Sequence, residues 1–312
     1  MSKKKSTAKL KMVSIKKILV PIDFSECSSN AKRQAVYLAQ TFLSHIEIVH
    51  VITPVYITPI TSEMLIPYDN VNYKKMLKDA EKKLLKIAKE IQTHESVSVS
   101  VTTQLNVVYT GILERAKKIN ADLIIMGTHG TSGVKEFIAG SNAFRVVRDS
   151  GCPVLTIQKK IANNKIKNIV LPIRLEINSR QKVELVATLA KIYSAKILIT
   201  GYLKDSDERD EQKVKQYCAQ VEALLNKETI AFKTFLLKDK NFTKAIINHA
   251  KKQKADMVAV MTTHNFSLDQ LLNGPYAEQF VNHSKIPILS VPDRISFDYS
   301  YTPSLSGGYQ NN

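Results

Sequence analysis

The sequence contains no tryptophan and only three cysteines in 312 residues. Cys27, Cys152 and Cys218 are scattered and odd in number, which argues against a disulfide framework and against a cysteine-based zinc site. Such usage predicts a reducing compartment, the cytoplasm. Long apolar runs are also missing, so no bilayer-spanning segment is expected. Residues 1–12 are rich in lysine but lack the apolar stretch of a signal peptide. Acidic residues are few beside basic ones: 28 Asp and Glu against 45 Lys and Arg leave a formal charge of +17. That surplus permits contact with nucleic acid or another polyanion. However, no aromatics interleave with Lys74, Lys75, Lys78, Lys82, Lys83 and Lys86 as a base-stacking platform requires, and a solvated helix face is the simpler account of them.

The chain does have a regular alternation of short apolar runs and amphipathic stretches. Residues 15–23 read as a strand, 24–29 as a polar turn and 30–42 as a helix with Ala31, Ala35, Leu38, Ala39 and Phe42 on one face. A second strand covers 46–51. Residues 53–72 carry three prolines and no clear period, which predicts a long loop, placed to act as a lid over the ligand edge of the sheet. A lysine-dense helix over 73–93, a strand over 97–101, a helix from 111, a buried strand over 123–126, a further helix and a strand over 153–157 complete the pattern. This order implies a parallel sheet covered on both faces.

The pattern then recurs. Residues 166–174 echo the first strand, Ala255-Asp256 echoes Ala121-Asp122, and 284–289 echo 150–155. The expected organisation is therefore a basic tail (1–14), a first domain (15–157), a linker (158–165), a second domain (166–292) and a flexible tail (293–312). The apolar segments 154–157 and 288–291 are candidates to pair, which would make the two domains an internal pseudo-dimer and cover exposed sheet edges. Homo-oligomerisation is not decided by the sequence.

The stretch 126–142, MGTHGTSGVKEFIAGSN, sits between a buried strand and a helix start. Backbone N–H groups and the helix dipole collect anions at such a place. Gly127 and Gly130 suit a tight turn or a close approach to a ligand, and Gly140, Ser141 and Asn142 offer N–H groups at the following helix. Neither a Walker A loop nor a G-x-G-x-x-G fingerprint is present.

The spacing Gly127-x2-Gly130-x9-Gly140-Ser141 resembles the ATP-binding signature of the universal stress protein family. The resemblance implies an α/β fold of two tandem doubly wound domains, each with a five-stranded, mainly parallel sheet of the adenine nucleotide alpha hydrolase-like kind. It also implies an ATP site. Pro21 and Ile22 would line the base, Asp23 would lie by the ribose and adenine, and the backbone of Val51 would read the adenine edge. Gly127 and Gly130 would hold the phosphates from one side and the Gly140-Ser141 pair from the other, with Met126, His129 and Asn142 also among the ATP-binding residues. Mg2+ or Mn2+ would accompany the triphosphate, with protein ligands unassigned.

The second domain keeps the pattern without the site. Aligned on Ala-Asp, Gly127 becomes Met261, Gly130 becomes His264, Ser141 becomes Pro275 and Asp23 becomes Arg174, whereas Gly140 is kept as Gly274. One ATP site, in the first domain, is expected. No catalytic residue can be assigned: His129 suits either a phosphate contact or a turn, and Lys135 reads as a surface lysine. His249, His264 and His283 lack metal-ligand spacing and are expected on the surface or at caps. The motifs of related nucleotidylyltransferases and ATP pyrophosphatases are absent. The reading is a cytoplasmic ATP-binding regulatory protein, with a slow ATPase or nucleotide hydrolase and a polyanion-binding stress protein as alternatives.

Overall fold

The computed structural model describes residues 12–54, 56–57, 66–67, 72–128, 141–161, 165–205, 207–262, 279–280 and 284–293. Among them the chain divides into two compact units. The first takes the described residues of 14–165 and 265–291, and the second those of 1–13, 166–264 and 292–312.

The first unit contains β1 (Lys17–Pro21), α1 (Glu26–Phe42), β2 (His45–Ile52), the two-residue strands β3 (Tyr56–Ile57) and β4 (Ile66–Pro67), α2 (Tyr73–Glu95), β5 (Val99–Leu105), α3 (Val108–Ile119), β6 (Leu123–Gly127), α4 (Ser141–Asp149) and β7 (Val154–Ile157). Its main strands run parallel in the order β7-β6-β1-β2-β5. In the second unit are β8 (Asn168–Ile173), α5 (Val183–Tyr193), β9 (Lys196–Leu203), α6 (Glu208–Lys227), β10 (Phe232–Lys238), α7 (Phe242–Lys252) and β11 (Met257–Thr262). These strands are also parallel, in the order β10-β9-β8-β11. The last strand, β12 (Ile288–Pro292), leaves its own half of the sequence. Its residues 288–291 belong to the first unit, where Ile288, Leu289 and Ser290 pair antiparallel with Thr156, Leu155 and Val154. The two apolar segments expected to meet thus do so.

Central strands are buried on both faces, which is why they read as unbroken apolar runs: Ile18, Leu19 and Val20 are wholly buried, as are Ile124 and Ile125. Helix α1 starts five residues ahead of Ala31, the first of its apolar stripe, because Ser25 caps it, the hydroxyl accepting from the Ser28 N–H at 3.2 Å. Within the region expected as a pure loop, β3 and β4 form a short antiparallel ladder. No helix among the described residues is long and apolar enough to cross a membrane.

The repeated residues prove to be structural. Asp122 Oδ2 accepts from the N–H groups of Lys16 and Lys17 at 2.8 and 2.9 Å, and Asp256 Oδ2 accepts from Lys167 and Asn168 at the same two distances. Each carboxylate clamps the start of a first strand to the loop before a fourth. Ser150 closes the turn before β7 through the Cys152 N–H and C=O, and Ser284 closes the turn before β12 through those of Ile286.

One buried charge escapes any sequence pattern. Glu47, on β2, is 5% exposed. It pairs with Arg115 of α3 and accepts from the Thr102 hydroxyl at 2.8 Å. Removing one partner of such a pair strands the other in a dry site, a loss of roughly 3 kcal/mol. Arg115→Ala is therefore expected to lower the urea-unfolding free energy by about that much, and an unchanged midpoint would count against the pair's structural role.

Candidate functional site

The C-terminal ends of β1 and β2 bring Pro21, Ile22, Asp23 and Val51 to one edge of the sheet, as expected of a ligand site in an open α/β fold. Pro21 opposite Val49 is the last β1–β2 rung, followed by the Ile22 N–H donating to the Val49 carbonyl at 2.8 Å. Peptide groups alternate between the two edges of a strand. The Ile52 carbonyl accepts from Asn106 on the β5 side, so the N–H and C=O of Val51 face the β1 side, beyond the point where β1 has ended. They stand there as one donor and one acceptor with no ladder partner among the described residues.

Asp23 is half-buried and partly engaged. Its Oδ1 accepts from the backbone N–H and the hydroxyl of Ser25 at 3.0 and 2.5 Å. Oδ2 bonds nothing among the described residues. The next residue, Phe24, has φ 65°, a left-handed conformation unusual for a bulky side chain. Its exposed ring packs 4.8 Å from the His50 ring, with the Lys83 ammonium 5.3 Å from its centre. His50 also contacts the Ile22 carbonyl through Nδ1 at 2.6 Å. This Phe24–His50–Lys83 group borders the site and was not foreseen, since nothing in the local sequence marks a phenylalanine as left-handed.

Gly127 ends β6 where the packing of the chain itself calls for a glycine. A Cβ there would lie 2.8 Å from both the Cys27 carbonyl carbon and Cys27 Cβ, and 2.9 Å from the Ser28 nitrogen. The glycine lets the first turn of α1 press against the strand end. Met126 is buried beside it, and Asn142 lies half-buried in the first turn of α4, which starts at Ser141. His129, Gly130 and Gly140 lie outside the described residues, as do His264, His283, Gly274, Pro275, Lys135 and most of the loop 53–72. Among the described residues no group of three His, Cys, Asp or Glu side chains is arranged to hold a metal ion.

The profile of the universal stress protein family matches residues 14–158 and, a second time, residues 166–292. The chain belongs to the universal stress protein family. It is a tandem member. A universal stress protein of Methanocaldococcus jannaschii is 30% identical over 144 residues, 46% of this chain and 82% of the relative. One of Bacillus subtilis is 31% identical over 145 residues, 46% of this chain and 98% of that protein. Among solved structures, a universal stress protein from Archaeoglobus fulgidus superposes with a TM-score of 0.69 at 18% identity, covering 89% of this chain and 98% of that one. At that identity the likeness speaks for the fold.

In the second half of this universal stress protein the corresponding strand ends are closed. By register, Arg174 stands where Asp23 does and Tyr202 where Val51 does. The Arg174 guanidinium lies 4.6 Å above the Phe242 ring, and Tyr202 meets that ring edge-on at 4.9 Å. The Tyr202 hydroxyl donates to the Asp239 carbonyl, and Arg174 also bonds Glu176. Helix geometry changes as well. The position matching Glu26 is Ile177, yet only a 3-10 turn, Ile177–Arg180, forms there, and α5 begins at Val183. Met261, at the Gly127 register, carries the side chain that a close first turn has no room for.

A histidine and a lysine are among the buried polar residues of this half. His249, expected on the surface or at a cap, lies in the last turn of α7 but is only 7% exposed and edge-on to Phe235 at 4.6 Å. Burial, helped by Lys252, holds its pKa below the ordinary imidazole value. Lys182 occupies the position of the buried Ala31, is 2% exposed, and donates to the Ser179 carbonyl. Burial, reinforced by Arg174 and opposed by Glu176, lowers its pKa to about 7.

Two outcomes follow for these positions. Gly127→Ala forces backbone atoms of α1 off β6, an overpacking worth about 1–3 kcal/mol, measurable as a lower midpoint in urea; a wild-type midpoint would contradict the close packing. For Lys182, the unfolded chain binds a proton that the folded chain has shed between about pH 7 and the ordinary lysine range. Stability must then rise with pH across that window and lose the gain as pH falls to 7. Lys182→Met is expected to be more stable than wild type at pH 7, with the difference shrinking towards pH 9; a constant difference would refute the shift.

Proposed function

We propose that this tandem universal stress protein binds one ATP per chain, at the strand ends of its first half, and that it acts as a nucleotide-responsive regulator in the cytoplasm rather than as an efficient enzyme. The observation carrying the reading is the contrast between the halves. Beyond the end of β1, the first half leaves the Val51 peptide groups and Asp23 Oδ2 without partners among the described residues. A purine edge needs a donor and an acceptor side by side, and a ribose hydroxyl needs a carboxylate oxygen. The second half fills its matching position with Arg174, Phe242 and Tyr202.

The phosphate part of the reading rests on the sequence 127–142 and its resemblance to the family signature. His129, Gly130, Gly140 and Ser141 are assigned to the phosphates on that ground, with Gly127 setting the position of α1 beside them. Mg2+ or Mn2+ would be held through phosphate oxygens and water, neutralising charge that the loop alone does not. Hydrolysis is expected to be slow. One oxygen of Asp23 is committed to Ser25, which leaves it poorly placed as a general base.

Mass spectrometry of nucleotide released from the native protein identifies the ligand, and isothermal titration counts it. One site per chain is expected. Gly130→Val should weaken ATP binding at least tenfold, because a branched side chain enters the phosphate cradle, whereas Arg174→Ala should leave affinity unchanged. Two equivalent sites, or wild-type affinity in the Gly130→Val protein, would overturn the assignment.

A further inference from the structure

The two halves differ most in charge on the helix that crosses from their second strand to their third. Helix α2 makes that crossover in the first half and α6 in the second. Helix α2 carries seven lysines against four carboxylates, whereas α6 carries four basic and four acidic residues. Five of the α2 lysines, Lys75, Lys78, Lys82, Lys86 and Lys89, follow one another at steps of three and four. At 3.6 residues per turn they fall within an arc of about 80°, along roughly 21 Å of helix. All five are exposed, and none of their ammonium groups meets a carboxylate among the described residues. Asp79 and Glu90 border the row on one side.

In α6 the same surface is neutralised. Glu211 bonds both Lys215 and Lys238 at 2.7 Å, and Glu222 accepts from Thr234. The fold therefore does not require a row of cations without carboxylate contacts at this place, and among the described residues Asp79 and Glu90 beside the row offset only part of its mutual repulsion.

We infer that the exposed face of α2 is a docking surface for the phosphate backbone of duplex nucleic acid. A straight row of point charges complements a polymer whose own charges repeat along a line, and its length matches about six base-pair rises. The face has no aromatic side chain on which unpaired bases would stack, which disfavours single strands. Its exposed apolar residues, Met76 and Leu85, point about 180° apart on the helix, so no apolar face is available to enter a lipid surface. Contacts of this kind position without reading sequence, so binding is non-specific and steeply dependent on salt.

The test uses the full-length protein and a fluorescent 20-base-pair duplex of arbitrary sequence, followed by anisotropy from about 50 to 200 mM salt. Wild type should bind, with affinity falling steeply as salt rises. A Lys78→Gln, Lys82→Gln, Lys86→Gln triple variant should bind at least tenfold more weakly, with a log–log salt slope shallower by about 2–3. The matching α6 variant, Lys213→Gln, Lys215→Gln, Lys227→Gln, should bind as wild type does. Circular dichroism and the urea midpoint establish that the variants are folded, and ATP titration tests the nucleotide site separately, so the two proposals fail independently. No binding at the lowest salt, equal binding by the α2 variant, or binding to anionic phosphatidylglycerol vesicles in place of the duplex would overturn the inference.

Discussion

Much of the first half depends on one close approach, that of the first turn of α1 to the end of β6. A helix pressed against a strand end brings its N-terminal N–H groups to the sheet edge where the β1 loop also lies. Gly127 makes this possible because any Cβ would collide with Cys27 and Ser28. The helix can then start at Glu26, capped by Ser25, whose N–H and hydroxyl in turn hold Asp23. A glycine in a phosphate-binding pattern is readily taken as a place where the ligand nears the backbone. Here its demonstrable partner is another part of the chain.

The duplication separates what the fold needs from what the site needs. Both halves keep the aspartate clamp and the serine turn, since each pairs backbone groups at a strand start or a tight turn that have no ladder partner there. The strand ends have diverged. With methionine at the glycine register, the second half forms a 3-10 turn, admits Lys182 where the first half buries Ala31, and stacks Arg174 on Phe242. A fully buried lysine with one carbonyl partner is a costly group, and its lowered pKa expresses that cost. The passage of β12 into the first unit adds a constraint of its own: a strand from the second half of the sequence extends the sheet of the first.

The fold was largely legible. Unbroken apolar runs mark strands covered on both faces, and amphipathic stretches between them mark crossovers, because both periods follow from backbone geometry. Element starts were less so: α1 begins before its apolar stripe, where capping rather than patterning decides. Asp23 and Val51 were correctly brought to one edge, since strand ends in a parallel sheet converge. The left-handed backbone of Phe24, the burial of His249 and the Glu47–Arg115 pair had no readable signal. A ring, an imidazole or a carboxylate carries no mark in the sequence of what packs over it.

By itself the sequence determined the alternation of strands and helices, their repetition and family, and which half has the glycines. Those properties are local, or are comparisons of one stretch with another. Tertiary structure decided which partner Gly127 accommodates, which strand β12 joins, which side of β2 offers the Val51 peptide, and which charges are dry. Each depends on atoms that only folding brings together, at distances where a single methyl group or an unpaired charge changes the outcome.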